Sequence, residues 1–214
     1  MVLELHPMVE TDFDDFARIS RSSFQGGIAD LLTLGDLTPE VLASTRDRHL
    51  GHFRDDPHSR YVKVVDSDTK AIVAVAYWEI RQEERPMEQF LEDTGPVPIP
   101  PTAHPEAWEE FFGYLTHARR NVMGNGPIAF LHLLTTHPDY QRRGAGAIIM
   151  KWGCEQADKY RVRAFLEASQ KGKGLYEKFG FKEVERKVFD LSKWGGDSVD
   201  IMTLMFRDAE PVPS

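Results

Sequence analysis

The chain has 214 residues, with 26 Lys and Arg against 34 Asp and Glu, a net charge of −8. That acidic balance argues against nucleic acid or an anionic membrane as the main partner, and the length favours one well-buried domain over residues 1–214. The single cysteine, Cys154, excludes an internal disulfide; no apolar stretch approaches the roughly 20 residues of a membrane span, and the N-terminal run breaks at Pro7, so a soluble cytoplasmic protein is expected.

In chain order, Val2 to Val9 reads as a strand, and Thr11-Asp12-Phe13-Asp14 as a helix start capped by Thr11, with Phe13, Phe16, Ala17 and Phe24 on one face. Phe24 to Leu37 is apolar but carries Gly26, Gly27 and Gly35. It reads as an irregular loop, either bordering a substrate or packed as a connector by Ile28, Leu31, Leu32 and Leu34. Thr38-Pro39-Glu40 starts a second helix that runs to about Arg54. Tyr61 to Asp66 and Ala71 to Ile80 are β-rich runs around Ser67-Asp68-Thr69-Lys70, which predicts an antiparallel hairpin. From Arg81 to Pro105 the chain is rich in Glu and Pro with no sustained period, the first part of an insertion or lid over residues 81–126. Pro105 opens its helix, with Trp108, Phe111, Phe112, Leu115 and Val122 on one face.

The next stretch carries the chemistry. Ile128 to Thr135 is strand-like, Ala147 to Ala157 is helix-like, and between them lies His137-Pro138-Asp139-Tyr140-Gln141-Arg142-Arg143-Gly144-Ala145-Gly146. Two glycines around a small residue let backbone N–H groups approach a ligand at a helix head, and the two arginines add charge, so the stretch reads as an anion site. The Walker pattern fails because Ala147 and Ile148 follow Gly146, offering neither lysine nor hydroxyl, and the dinucleotide fingerprint fails because Ile149 stands at its third glycine. Pro138, Gln141, Gly144 and Gly146 do resemble, in order, the acetyl-CoA loop of the GNAT acetyltransferases. About thirty residues on, Ala164 to Ser169 followed by Leu175-Tyr176-Glu177-Lys178-Phe179-Gly180-Phe181 resembles the closing strand and helix of that superfamily. Ser169 stands where many members carry Asn.

Val162 to Ala168 is then a fifth strand and Gly174 to Phe179 a short helix ended by Gly180. Phe181 to Leu191 with Val199 to Phe206 make a final hairpin, and a polar tail covers residues 208–214. The order of elements gives only α/β or α+β. The resemblance implies a GNAT-like mixed, mostly antiparallel sheet of six or seven strands flanked by about four helices.

It also implies acetyl-CoA as co-substrate, with no metal. Its pyrophosphate would lie on Gln141, Arg142, Arg143, Gly144, Ala145, Gly146 and Ala147, its amide-bearing arm along Leu133, Leu134 and Thr135, and Ser169 would make a further contact. Tyr176 corresponds to the acid that meets the leaving thiolate, although from helical position alone it could simply pack on the core. The strand Leu131 to His137 resembles that of the arylalkylamine N-acetyltransferases, which carry a His-x-His pair; here Phe130 takes the first place and His132 the second. His132 is therefore either the base that takes the amine proton or a hydrogen-bonded core histidine, with Glu79, Glu167 and His137 as alternatives. Cys154 reads as core.

The expected activity is direct acetyl transfer to a primary amine of a small molecule, by a monomer or homodimer. A protein or peptide acetyltransferase and a non-catalytic acyl-CoA-binding module remain as alternatives. Between Arg81 and Glu110 the insertion carries eight carboxylates against two arginines, which either bias the acceptor site toward cationic amines or merely face water.

Overall fold

The computed structural model describes residues 2–23, 26–32 and 38–211. Seven strands, β1 (Leu3–Pro7), β2 (Ser59–Asp66), β3 (Ile72–Arg81), β4 (Ile128–Thr136), β5 (Arg163–Ser169), β6 (Lys182–Asp190) and β7 (Val199–Arg207), form one sheet in the order β1-β2-β3-β4-β5-β7-β6. Every neighbouring pair is antiparallel except β4 with β5. Among the described residues the helices are α1 (Phe13–Ser23), α2 (Ile28–Leu32), α3 (Pro39–Asp55), α4 (Met87–Asp93), α5 (Pro105–His117), α6 (Ala145–Tyr160) and α7 (Gln170–Glu177). The short α2 and α4 lie in segments that read as irregular, because five and seven residues are too few to display a helical period.

β3 is buried along nearly its whole length, as a strand covered on both faces must be. On one face α6 seats Ile149, Met150 and Ala157 against Val64, Trp78, Leu131 and Leu166. On the other, Phe13, Phe16 and Ile19 of α1 pack on Tyr61, Val75 and Tyr77. Full burial of such side chains contributes about 1.5–3 kcal/mol each. The helix α5 of the insertion joins α2, Phe189 and Leu191 in a separate apolar cluster, so the insertion is anchored to the body.

Local signals hold in several places. The Thr38 hydroxyl accepts from the Val41 N–H at 3.4 Å with Pro39 in the first turn of α3, and β2 and β3 pair with Tyr61 opposite Tyr77. Three expectations need correction. Thr11 is not the cap of α1. A 3-10 turn at Glu10–Asp12 leads into the helix, and it is the Asp12 carboxylate that accepts from the Val9 N–H at 2.7 Å, itself held by Lys63 Nζ at 2.7 Å. The closing helix α7 begins four residues before Gly174, because Ser169 caps it. β7 also does more than finish a hairpin, since it lies between β5 and β6. The predicted places of Phe24, Leu34, Gly35 and Leu37 lie outside the described residues.

Two irregularities in the sheet shape the site. β4 pairs with β5 only from Ile128 to Leu131, after which β4 continues beside β3 to Thr136 and β5 beside β7 to Ser169, so the two central strands part. In the β3–β4 register Tyr77 faces Leu133 and Trp78 faces Leu131, which leaves His132 as the extra residue of a bulge.

Candidate active site

The loop between β4 and α6 is built by short-range chemistry. His137 Nδ1 accepts from the Asp139 N–H at 3.3 Å, and the Gln141 N–H reaches the Pro138 carbonyl at 3.3 Å while its side chain donates to the Thr136 carbonyl at 3.4 Å. His137 thus serves the turn. Arg142 adopts φ 62° and Gly144 φ 95°, a left-handed backbone that a residue without Cβ enters most cheaply. The Ile148 N–H makes the first bond of α6, to the Gly144 carbonyl at 3.2 Å, which leaves the N–H groups of Ala145, Gly146 and Ala147 open at a positive helix end. A Cβ on Gly146 would sit 3.1 Å from Leu175 Cδ2 and 3.5 Å from Leu134 Cδ2, so the close approach is also sterically required. Arg142 and Arg143 are exposed beside this cradle.

Beyond Leu131, the edge of β4 that faces β5 has no strand partner among the described residues, and Leu133, Leu134 and Thr135 lie along it. The Thr135 side chain is buried, with Oγ1 unpartnered. Ser169 stands at the end of β5 and accepts from the Gly172 N–H at 3.3 Å, so its hydroxyl is already engaged in capping α7. An open helix head, packed at Gly146 against Leu175 and Leu134, and an unpaired strand edge fit a pyrophosphate followed by an amide-bearing arm.

Tyr176 is buried in the cluster that includes Leu131, Leu166 and Ala168, on the α6 face of the sheet. Gly172, one turn earlier, leaves room for its ring, since a Cβ there would lie 2.9 Å from Tyr176 Cε2. Burial pushes the phenol up to about 12, so it is a proton donor throughout the neutral range.

His132 lies on the opposite face. Its ring stacks on Tyr77 with centroids 4.5 Å apart and touches Phe130 at 3.8 Å, and it lines a cavity of about 430 Å³ with His52, Glu79, Arg85, Asp93 and Arg119. His132 Nε2 meets Glu79 Oε2 at 2.9 Å, while Arg81 and Arg85 both donate to Glu79 Oε1. Burial alone would raise the Glu79 carboxyl, but His132, Arg85 and Arg81 together hold it well below the usual range and keep it ionised. Burial lowers His132, with Glu79 pulling the other way.

The two predicted catalytic residues therefore sit on opposite faces of the sheet, each beside the parting of β4 and β5. Glu167 is less available as a base, since Arg119 clamps both its oxygens, at 3.0 and 2.9 Å. Cys154 is buried in α6, its thiol pushed up to about 11 by that burial, as a core cysteine would be. In the sequence Arg81 and Arg85 read only as charge in the insertion, and Arg119 carries no signal of its own. A carboxylate inside the apolar run Ile72 to Arg81 was the available sign of them, because such a group must find buried partners. The insertion does border the cavity, through Arg85, Gln89, Asp93 and Thr94, but Glu83, Glu84 and Glu88 are not among the lining residues, and Glu84 accepts from Asn125 instead.

Among the described residues no helix is long and apolar enough to cross a membrane, and no group of three or more His, Cys, Asp or Glu is placed to hold a metal ion. No curated protein sequence matches the chain significantly. Among solved structures, arylalkylamine N-acetyltransferase 2 from Aedes aegypti superposes with TM-score 0.70 at 12% identity, covering 98% of this chain and 100% of that one. A mosquito arylalkylamine N-acetyltransferase like 5b gives 0.65 at 13%, covering 97% and 100%. A structure of histone acetyltransferase HPA2 and related acetyltransferase from Corynebacterium glutamicum gives 0.61 at 17%, covering all of both chains. At such identities these likenesses establish the fold. The description "Acetyltransferase (GNAT) family" matches residues 32–181, a span that holds the parted strands, the loop, α6 and most of the closing segment, and the chain belongs to the GNAT acetyltransferase family.

Proposed function

We propose that the protein is an acetyl-CoA-dependent N-acetyltransferase that acts on a primary amine of a small molecule by direct transfer. The observation that carries the acceptor class is the cavity of about 430 Å³ at His132, partly open to solvent, within the range typical of small-ligand sites and partly walled by α4 of the insertion. The likeness to two proteins described as arylalkylamine N-acetyltransferases points the same way.

When bound, acetyl-CoA supplies an acyl group already activated as a thioester. The loop N–H groups and the edge of β4 hold and orient it, and the bulged β4 presents His132 to the amine. A neutral His132 takes a proton from the ammonium or from the amine as it attacks. The Tyr176 hydroxyl would donate to the developing thiolate charge. With the phenol near 12 and a thiol near 8.5, full proton transfer from Tyr176 would cost about 5 kcal/mol, so its contribution is a hydrogen bond in the transition state.

An amine panel assayed for CoA release, with acetylation of the intact protein and of test peptides followed in parallel, checks the reading. Turnover with small primary amines is the expected result. Turnover with peptides alone would move the acceptor to the protein class, and no thioester consumption with any acceptor would leave a binding module.

A further inference from the structure

Glu79 does more than share a cavity with His132. One of its oxygens, Oε1, is fully occupied by the guanidiniums of Arg81 and Arg85, and Arg85 is fixed from its other side by Asp93 at 3.0 Å. Glu79 is buried, so its carboxylate cannot swing, and only Oε2 remains, 2.9 Å from His132 Nε2. A carboxylate is an acceptor only, so it requires the proton of the imidazole on Nε2. The other ring nitrogen, Nδ1, hydrogen-bonds to none of the described residues, and the ring is about a quarter exposed (23%), toward the cavity it lines. The bulge in β4 and the stack on Tyr77 fix the ring plane.

We propose that Glu79 is a positioning residue that locks His132 in the Nε2–H tautomer and turns the Nδ1 lone pair toward the acceptor amine. The catalytic consequence rests on His132 being the base proposed above. In the step itself Nδ1 takes one proton from the acceptor nitrogen, and the resulting imidazolium keeps its Nε2–H on the Glu79 carboxylate, so charge appears next to a fixed anion. Other charged groups near the ring are Arg119, its partner Glu167 on β5, and the Arg81–Arg85 pair behind Glu79; His52 and Asp55 of α3, with Asp56, His58 and Asp93, line the same cavity.

Glu79→Gln separates positioning from shape. Guanidiniums only donate, so the amide oxygen must take the place of Oε1, and the amide NH₂ then faces His132 Nε2 as a donor. His132 has to accept, which moves its proton to Nδ1 and blocks the lone pair needed at the amine. Long-range ¹H–¹⁵N spectra of histidine-labelled protein, with the signals assigned by His132→Gln, read the tautomer without any substrate.

The expected results are the Nε2–H form in the native chain, the Nδ1–H form in Glu79→Gln, and in that variant a fall in kcat of about 10²–10⁴-fold with little change in KM for the amine. An Nδ1–H tautomer in the native chain overturns the proposal, and this measurement stands even if Glu79→Gln does not fold. An unchanged tautomer in folded Glu79→Gln overturns it as well. If the tautomer flips as expected while His132→Gln retains native turnover, Glu79's hold on the ring is upheld and it is the assignment of His132 as base that falls.

Discussion

Tyr176 shows how a residue's environment redefines its role. The resemblance assigns it as an expected donor to the leaving sulfur, yet burial raises the phenol to about 12, which weakens it as an outright acid and favours its protonated form. Tyr176→Phe removes one hydroxyl and almost no surface. We expect kcat to drop about 10²-fold with CoA affinity unchanged by calorimetry. An unchanged single-turnover rate would remove Tyr176 from the chemistry. His132 illustrates the reverse case: its residue type suggests a base, but only its contacts reveal a fixed anion on one nitrogen and a cavity on the other side.

The helix α6 carries two glycines with different duties. Gly146 lies at its head, where a Cβ would meet Leu175 and Leu134 next to the open N–H groups, and Gly153 lies in its middle, where a Cβ would overlap the ring of the fully buried Trp78 on β3. The two should separate experimentally. Gly146→Asp adds bulk and negative charge at the helix head proposed to hold the pyrophosphate and is expected to abolish measurable CoA binding in calorimetry, with some lowering of the urea midpoint because its Cβ presses on Leu175 and Leu134. Gly153→Ala forces the helix away from the sheet, and an overpacked core of this kind is destabilised by about 1–3 kcal/mol, readable as a lowered midpoint. Equal effects of both variants on affinity would mean that the cradle is misplaced.

Across the molecule, burial of histidines couples folding to pH. His49 of α3 hydrogen-bonds to the Tyr61 hydroxyl at 2.9 Å, packs on Phe16 and is lowered to about 3, chiefly by burial and then by Arg48. The folded protein therefore refuses a proton that the unfolded chain accepts below about 6.5. Stability is lost as pH falls from that value toward 3, by about 1.4 kcal/mol per unit for one such group. His132 is lowered as well and adds to the same slope. The carboxylates Glu79 and Asp158 are depressed, so their contribution is intact above their ordinary values of 4.5 and 3.8 and declines only at more acid pH. Urea unfolding between pH 6.5 and 4.5 should thus show a falling stability that is shallower in His49→Phe. Identical slopes would mean that His49 is protonated in the folded state.

The sequence by itself determined what depends on neighbours along the chain. The loop from His137 to Ala147 was legible because its turn bonds, its left-handed glycine and its helix head all arise within eleven contiguous residues, and the same holds for the Thr38 cap and the β2–β3 turn. Tertiary structure alone decided what depends on register. The partner of His132 is 53 positions away on another strand, and the bulge at His132 is a register shift that no periodicity records. A slip of a single residue would have turned His132 to the other face. The parting of β4 from β5 likewise lies in non-local pairing, since past Leu131 β4 continues beside β3 while β5 continues beside β7. Thr11 does not cap α1 because the chain enters the helix through a 3-10 turn whose Asp12 carboxylate bonds back to the Val9 N–H and is held by Lys63 on a distant strand. Backbone chemistry within a turn is local, so it can be read in a sequence; which side chains share a face is fixed only when the strands have paired.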